Sequence, residues 1–326
     1  MARKLRLEQE GGIYHVINRG NYRQWIFAEE GSKVAFEKAL SECSERFGWA
    51  LHAYCIMGNH FHLAVETPRG NLSEGMRWLQ ATFANRFNRF RKKRGRLFQG
   101  RFKSLVVEDE ERLAWLCHYI HLNPVRAKIC AVGELGNYRW SSYRFLTRPK
   151  ERPRWLLLAA CLNGAGELKD TRAGRIRYEK YLQWLSEDKP ARKQMEFERM
   201  SRGWAIGAKP FRKAVVADEK ELRTVFKLNQ AEVREARELT WETALSEALR
   251  LLGKKTAAIE SDRKGAPWKV AVAAVLKSKH GCTNGWISRH LRMGVECGVS
   301  RYVAEMAAGG RPEAGKAHRS LMSKIS

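Results

Sequence analysis

The chain has 326 residues with 44% hydrophobic content, enough for one large or two modest globular domains. Its 61 Lys and Arg against 35 Asp and Glu leave a formal charge of +26, a self-repulsion that a polyanion would offset, which points first to nucleic acid and second to an anionic membrane surface. The membrane reading is the weaker one, because no run approaches the roughly 18 apolar residues that a spanning helix needs. Met1-Ala2-Arg3-Lys4-Leu5-Arg6 leads into Glu8-Gln9-Glu10 and not into the apolar stretch of a signal peptide. The seven cysteines include no C-x-x-C pair, which argues against a zinc ribbon or a disulfide framework. The expected setting is the cytoplasm, near the nucleoid.

In chain order, Ile13 to Arg19 reads as a strand between Gly11-Gly12 and Gly20-Asn21, and Gly31 to Phe47 as a helix. Trp49 to Met57 is a second strand. Gly58-Asn59 is a tight turn, and His60-Phe61-His62-Leu63-Ala64-Val65-Glu66 follows as the other arm of a hairpin. Side chains alternate along a strand, so His60 and His62 share a face while Phe61 takes the other. Two imidazoles on one rigid face can hold a divalent metal; taken alone, the pair reads equally as two polar positions on a wet strand face. A long helix runs from Leu72 to about Arg94 on the stripe Leu72, Met76, Leu79, Phe83, Phe87 and Phe90.

The segment Arg89 to Lys103 holds eight basic residues in fifteen and no acid. Phe90, Leu97, Phe98 and Phe102 are interleaved with Arg89, Arg91, Lys92, Lys93, Arg94, Arg96, Arg101 and Lys103. A charge run of this kind is usually a solvated face, but aromatics within it favour phosphate contacts and base stacking. Phe102 to Val107 is a fourth strand. The order strand, helix, strand, strand, helix, strand predicts an α+β fold, a ferredoxin-like antiparallel sheet with helices on one face and the other face open to a substrate.

Glu108 to Leu122 reads as a helix on Leu113, Leu116, Cys117 and Ile120, closed by Asn123-Pro124. Tyr119 and Asn123, four apart, lie on one face beside that stripe. A half-buried aromatic and a C-cap are the bland readings of these two. Trp140 and Tyr143 read as a lid on the first domain, and Pro149 to Pro153 as a break. The expected domains are 1–150, a helical linker region 151–255, a helix-turn-helix-like unit 256–310, and a disordered tail 311–326. Gly203-Trp204-Ala205-Ile206-Gly207 lacks the spacing of a phosphate-binding glycine loop. In the third segment Pro267–Lys279, Asn284–Arg292 and Val299–Met306 read as helices, with Arg289, Arg292 and Arg301 among the candidates for DNA contact. A plain helical bundle reads equally well there.

A metal held by two imidazoles and an amide keeps open positions for a phosphate. Tyrosine, with a phenol pKa of about 10, is a poor nucleophile until a nearby cation stabilises its phenolate. His60-Phe61-His62 resembles the His-hydrophobe-His signature of HUH endonucleases. Gly12-Ile13-Tyr14-His15-Val16 with Arg19-Gly20-Asn21, Met57-Gly58-Asn59-His60-Phe61-His62, Phe98-Gln99-Gly100-Arg101-Phe102 and Tyr119-Ile120-His121-Leu122-Asn123-Pro124-Val125-Arg126-Ala127 stand in the order of the REP-associated tyrosine transposases. The resemblance covers under half of the chain.

The resemblance implies Tyr119 as the nucleophile and His60, His62 and Asn123 as ligands of Mg2+ or Mn2+. It implies a single-stranded DNA substrate folded into a hairpin, cleaved through a 5′-phosphotyrosine intermediate, with Arg19 and Arg126 joining the DNA-contacting cations. Monomer and homodimer both remain open. The other reading is a domesticated, sequence-specific DNA-binding protein without catalysis. His118 and His121 are expected to lie away from the site.

Overall fold

A computed structural model describes residues 8–92, 94–215 and 230–325. These divide into two compact units, Met1–Glu232 and Val233–Ser326.

The first unit is an α+β fold. Its elements follow in the order β1 (Gly12–Arg19), α1 (Glu30–Phe47), β2 (Ala50–Ile56), β3 (His60–Thr67), α2 (Leu72–Arg91), β4 (Lys103–Val107) and α3 (Glu110–His121). The strands are ordered β2-β3-β1-β4, each pair antiparallel. That is the split βαβ arrangement, in which each crossover helix skips one strand position. Helices α1 and α2 pack together on one face. Aromatic rings join them to the sheet and to the loop before α1: Phe36 of α1 lies 4.7 Å from Phe61 of β3, and Phe27, in that loop, lies 5.3 Å from Phe83 of α2, centroid to centroid. These rings supply large buried areas and hold the alternation of β3 in register, because a slip of one residue would drive Phe61 to the opposite face.

The second face of the sheet is not open. Helix α3 lies against β2 and β3 there, so β3 is buried on both sides and not an amphipathic strand with a wet face. Asp109 caps α3, its carboxylate accepting from the Arg112 N–H at 2.8 Å. Pro124 does not end the helical path: Leu122 bends it, and Asn123–Arg126 adds one further turn with Pro124 in its first turn, where its missing N–H costs nothing.

No boundary falls at 150. Leu51 exchanges backbone hydrogen bonds with Trp155 and Leu157, and Trp140 and Tyr143 are buried. A two-residue strand β5 (Ala205–Ile206) joins β4 in parallel, making the sheet five-stranded and mixed. Between them helix α4 (Arg172–Glu187) buries Tyr178 completely. The expected linker 151–255 is therefore divided: its described residues as far as Glu232 belong to the first unit, and those from Val233 to the second.

The second unit holds most of helix α5 (Gln230–Leu251), then α6 (Pro267–His280), α7 (Asn284–Leu291), α8 (Glu296–Ala307) and α9 (Pro312–Met322). Val270, Val272, Val275 and Leu276 of α6, with Trp286, Ile287, Leu291 and Val299, form its core. Helices α7 and α8 are joined by a short turn with Arg292 in the left-handed region at φ 53°, a helix-turn-helix shape. The expected disordered tail is instead α9, packed on α6 through Ala314 and Leu321.

Candidate active site

The register of β1 between β3 and β4 assembles the site. Ile17 stands opposite His62 and Lys103, and Arg19 opposite His60. Directly opposed residues of an antiparallel pair point to the same face. Thus His15, Arg19, His60, His62 and Lys103 share the face that α3 covers. Beneath α3 lies a cavity of about 570 Å3, lined by His60, His62, Tyr119, Asn123, Gln99 and Ser201 among others.

Hydrogen bonding fixes the tautomers of the imidazoles. His15 Nδ1 lies 2.6 Å from the Met200 carbonyl oxygen, which can only accept, so Nδ1 carries the proton. Burial pulls the His15 pKa down to about 3, so the ring is neutral and its Nε2 is bare. That nitrogen lies 2.9 Å from His62 Nδ1, which must therefore donate. His62 is held neutral too, its pKa pushed well down by burial and then by neighbouring His15. Its Nε2 is left with a free lone pair. His60 reaches the same state by a shorter route. Its Nδ1 donates to the Asn59 side-chain oxygen at 2.6 Å, and burial, then Arg19, lower its pKa to about 4. The two rings lie 5.0 Å apart. Two neutral imidazoles with bare Nε2 atoms and backed Nδ1 atoms suit a divalent metal.

Asn123 fits as a third donor only with its amide turned over. Its Oδ1 accepts from Arg126 at 3.2 Å, while its Nδ2 is buried without a partner. Turning the amide places oxygen at the orphaned position and obliges Arg126 to release it. Among the described residues no three His, Cys, Asp or Glu side chains gather as a metal site, so an ion here would rest on two imidazoles, an amide and outer oxygens.

Tyr119 stands 5.9 Å from the His62 ring and 6.0 Å from His15, edge-on to both, in the same chain. Its hydroxyl is 2.8 Å from Ser201 Oγ. The Arg126 guanidinium sits over its ring at 4.4 Å, a cation–π contact that holds the ring in place. Phe197 packs edge-on at 5.5 Å. Arg126, expected on DNA, is thus beside the tyrosine. His118 and His121 do lie away from the cavity, but as fully buried groups hydrogen-bonded to Tyr178.

The other expected cations divide. Arg19 and Lys103 line the cavity, Lys103 at 2.9 Å from Glu232. Arg89, Lys92, Arg94 and Arg96 are exposed and Arg101 half-buried, whereas Arg91 pairs with Glu29. Lys93 lies outside the described residues. In the second unit Arg289 is exposed, Arg292 bonds Glu260 at 2.9 Å, and Arg301 lies 3.7 Å from Glu305.

His15, Asn59, the Met200 carbonyl and Ser201 were not singled out as site residues in the sequence. His15 and Asn59 fall inside motifs that could have flagged them. Nothing in the sequence marks Met200 or Ser201, which reach the site from some 80 residues beyond Tyr119.

Residues 9–123 match the family described as "Transposase IS200 like". This segment is similar to the IS200-like transposases. The matched residues hold His15, His60, His62, Tyr119 and Asn123, while Phe197, Met200 and Ser201 lie outside them. Among solved structures the chain is similar to one described as "the REP associates tyrosine transposase bound to a REP hairpin", at 15% identity and a TM-score of 0.40, over 47% of this chain and 89% of that one. No curated protein matches the chain. No described helix is long and apolar enough to cross a membrane.

Proposed function

We propose that the chain is a metal-dependent single-stranded DNA endonuclease and strand transferase, a transposase acting on hairpin DNA through a 5′-phosphotyrosine intermediate. The observation that carries this reading is the placement of Tyr119 in one cavity with the bare Nε2 atoms of His60 and His62, all from one chain. Mg2+ or Mn2+ held by those nitrogens and the Asn123 amide would polarise a phosphate oxygen. Tyr119 Oη attacks the phosphorus and the P–O3′ bond breaks. The phenol gives up its proton to solvent, the departing 3′ oxygen takes one up to end as a free hydroxyl, and the 5′ phosphate stays esterified to the tyrosine. Arg126 packs over the tyrosine ring and Ser201 meets Oη, which together position the attacking hydroxyl. The ester retains the phosphodiester bond energy, so attack by a 3′ hydroxyl rejoins strands without a nucleotide triphosphate. One chain supplies both halves of the site, so a monomer suffices. The work would be done in the cytoplasm, at the nucleoid.

The test is incubation with hairpins from the DNA flanking its own gene and Mn2+, followed by a denaturing gel. A covalent protein–DNA adduct is expected from the wild type. Tyr119→Phe is expected to reduce it to background while hairpin affinity stays within about twofold, since only the hydroxyl is removed. Adduct formed by Tyr119→Phe, or by wild type in excess EDTA, sinks the assignment. A DNA-binding protein without catalysis would give binding and no adduct with any divalent metal. The joint presence of Tyr119, His60 and His62 speaks for catalysis.

A further inference from the structure

The turn after β1 carries two aromatic side chains that the site above does not use. Residues 20–25 are tied to the loop just before His60: the Gly20 N–H donates to the Asn59 carbonyl at 2.8 Å, and the Phe27 N–H to the Gly58 carbonyl at 3.0 Å. Within the turn Tyr22 and Arg23 both have positive φ, 50° and 60°, a region that side-chain-bearing residues enter at a cost. The outcome is that Tyr22 is 86% and Trp25 71% exposed. The Trp25 ring is nonetheless seated. A Cβ added at Gly58 would fall 2.3 Å from its Cζ3 atom, so the indole lies directly on the backbone of the turn, two residues before His60.

Beside the indole is a second cavity of about 280 Å3, bordered by Trp25, Phe87, Arg94, Arg96 and Leu97. Both arginines are exposed. The Asn21 N–H donates to the Leu97 carbonyl and the Gln99 N–H to the Arg19 carbonyl, and Arg19 and Gln99 line the Tyr119 cavity. These backbone bonds tie the ledge that carries the indole to the lining of the Tyr119 cavity. An exposed, positionally fixed aromatic flanked by guanidinium groups offers a π-face to a base and cations to the phosphates on either side.

We propose that Trp25, with Tyr22, Arg94 and Arg96, is a stacking site for an unpaired nucleotide of the strand that passes through the Tyr119 cavity. The proposal rests on the reading of that cavity as a DNA-cleaving site and extends it to the unpaired flank. A protein partner is the competing occupant.

The experiment is fluorescence anisotropy at fixed salt in EDTA, where no cleavage intervenes. It compares a hairpin bearing a short unpaired flank with the same hairpin whose flank is abasic. Wild type is expected to bind the base-bearing flank about tenfold tighter, as one stacked base allows. Trp25→Ala is expected to abolish that preference, and Trp25→Phe, which keeps a ring, to retain most of it with an unchanged thermal midpoint. Arg94→Gln with Arg96→Gln is expected to weaken both DNAs alike. An undiminished preference in Trp25→Ala, or no preference in a wild type that binds both DNAs, overturns the stacking site and leaves the Tyr119 reading standing. A wild type that binds neither DNA overturns both.

Discussion

The proton on His62 Nδ1 is set from outside the proposed ligand pair, His60 and His62. The Met200 carbonyl orients His15, and His15 orients His62. A ligand imidazole whose second nitrogen loses its acceptor turns more freely and binds its metal about 10–100-fold more weakly. His15→Gln is therefore expected to lower Mn2+ affinity by that range, measured by titration calorimetry without DNA, while the thermal midpoint of the metal-free protein reports folding separately. Unchanged Mn2+ affinity in a folded variant would show that His15 is packing alone. The spacing of His60 and His62, and of Tyr119 and Asn123, was legible in the sequence because period two and period 3.6 fix which side chains share a face. What backs those groups was not legible, because His15 meets Met200 across 185 residues of chain and no local pattern encodes such a pairing.

The proposed nucleophile, Tyr119, is carried by α3, and α3 is clamped on its far side from the cavity. Ser142 Oγ accepts from the Tyr54 N–H at 2.9 Å and donates to the Tyr54 carbonyl at 3.2 Å, so His121 Nε2, 2.9 Å away, must donate to it. His121 is neutral, burial lowering its pKa to about 3, so its Nδ1 is bare and accepts from the Tyr178 hydroxyl. Tyr178 in turn accepts from His118 Nδ1. This chain fixes α3 to α4 on both sides of Tyr119. Tyr178→Phe removes one hydroxyl and orphans two buried nitrogens, each costing about 1–3 kcal/mol. The expected loss is about 3 kcal/mol in urea unfolding, against under about 1 kcal/mol for Tyr181→Phe, which lies in the same helix and is half-buried. Equal losses from the two would mean that the network adds nothing to the packing. In the sequence these histidines read as bystanders, since helical periodicity places them but cannot name a partner on a helix 57 residues away.

At the scale of the whole molecule, the sheet order was legible because the alternation of strand and helix periods over residues 13–107 admits few topologies. Strand β5 was not. Two residues carry no periodicity, and their partner is a strand a hundred residues earlier. Helix α9 was missed for the opposite reason: Ala314 and Leu321 suffice to dock it on α6, too few apolar residues to register against a polar background. The +26 charge was legible at once, and it makes the last quantitative demand on the proposed function. Ion pairs absorb Arg91 and Lys103, yet Arg89, Lys92, Arg94 and Arg96 are exposed and Arg19 lines the cavity. If Arg101 joins these five on a single strand, each neutralised phosphate contributes about −0.7 to the slope of log K against log salt. Six contacts give a slope near −4, so hairpin-flank affinity is expected to fall about 300-fold between 50 and 200 mM salt. Arg94→Gln with Arg96→Gln should flatten the slope by about one and a half. A wild-type slope near zero would mean that the charge serves some other partner, and the reading of the ledge as a DNA path would fail with it.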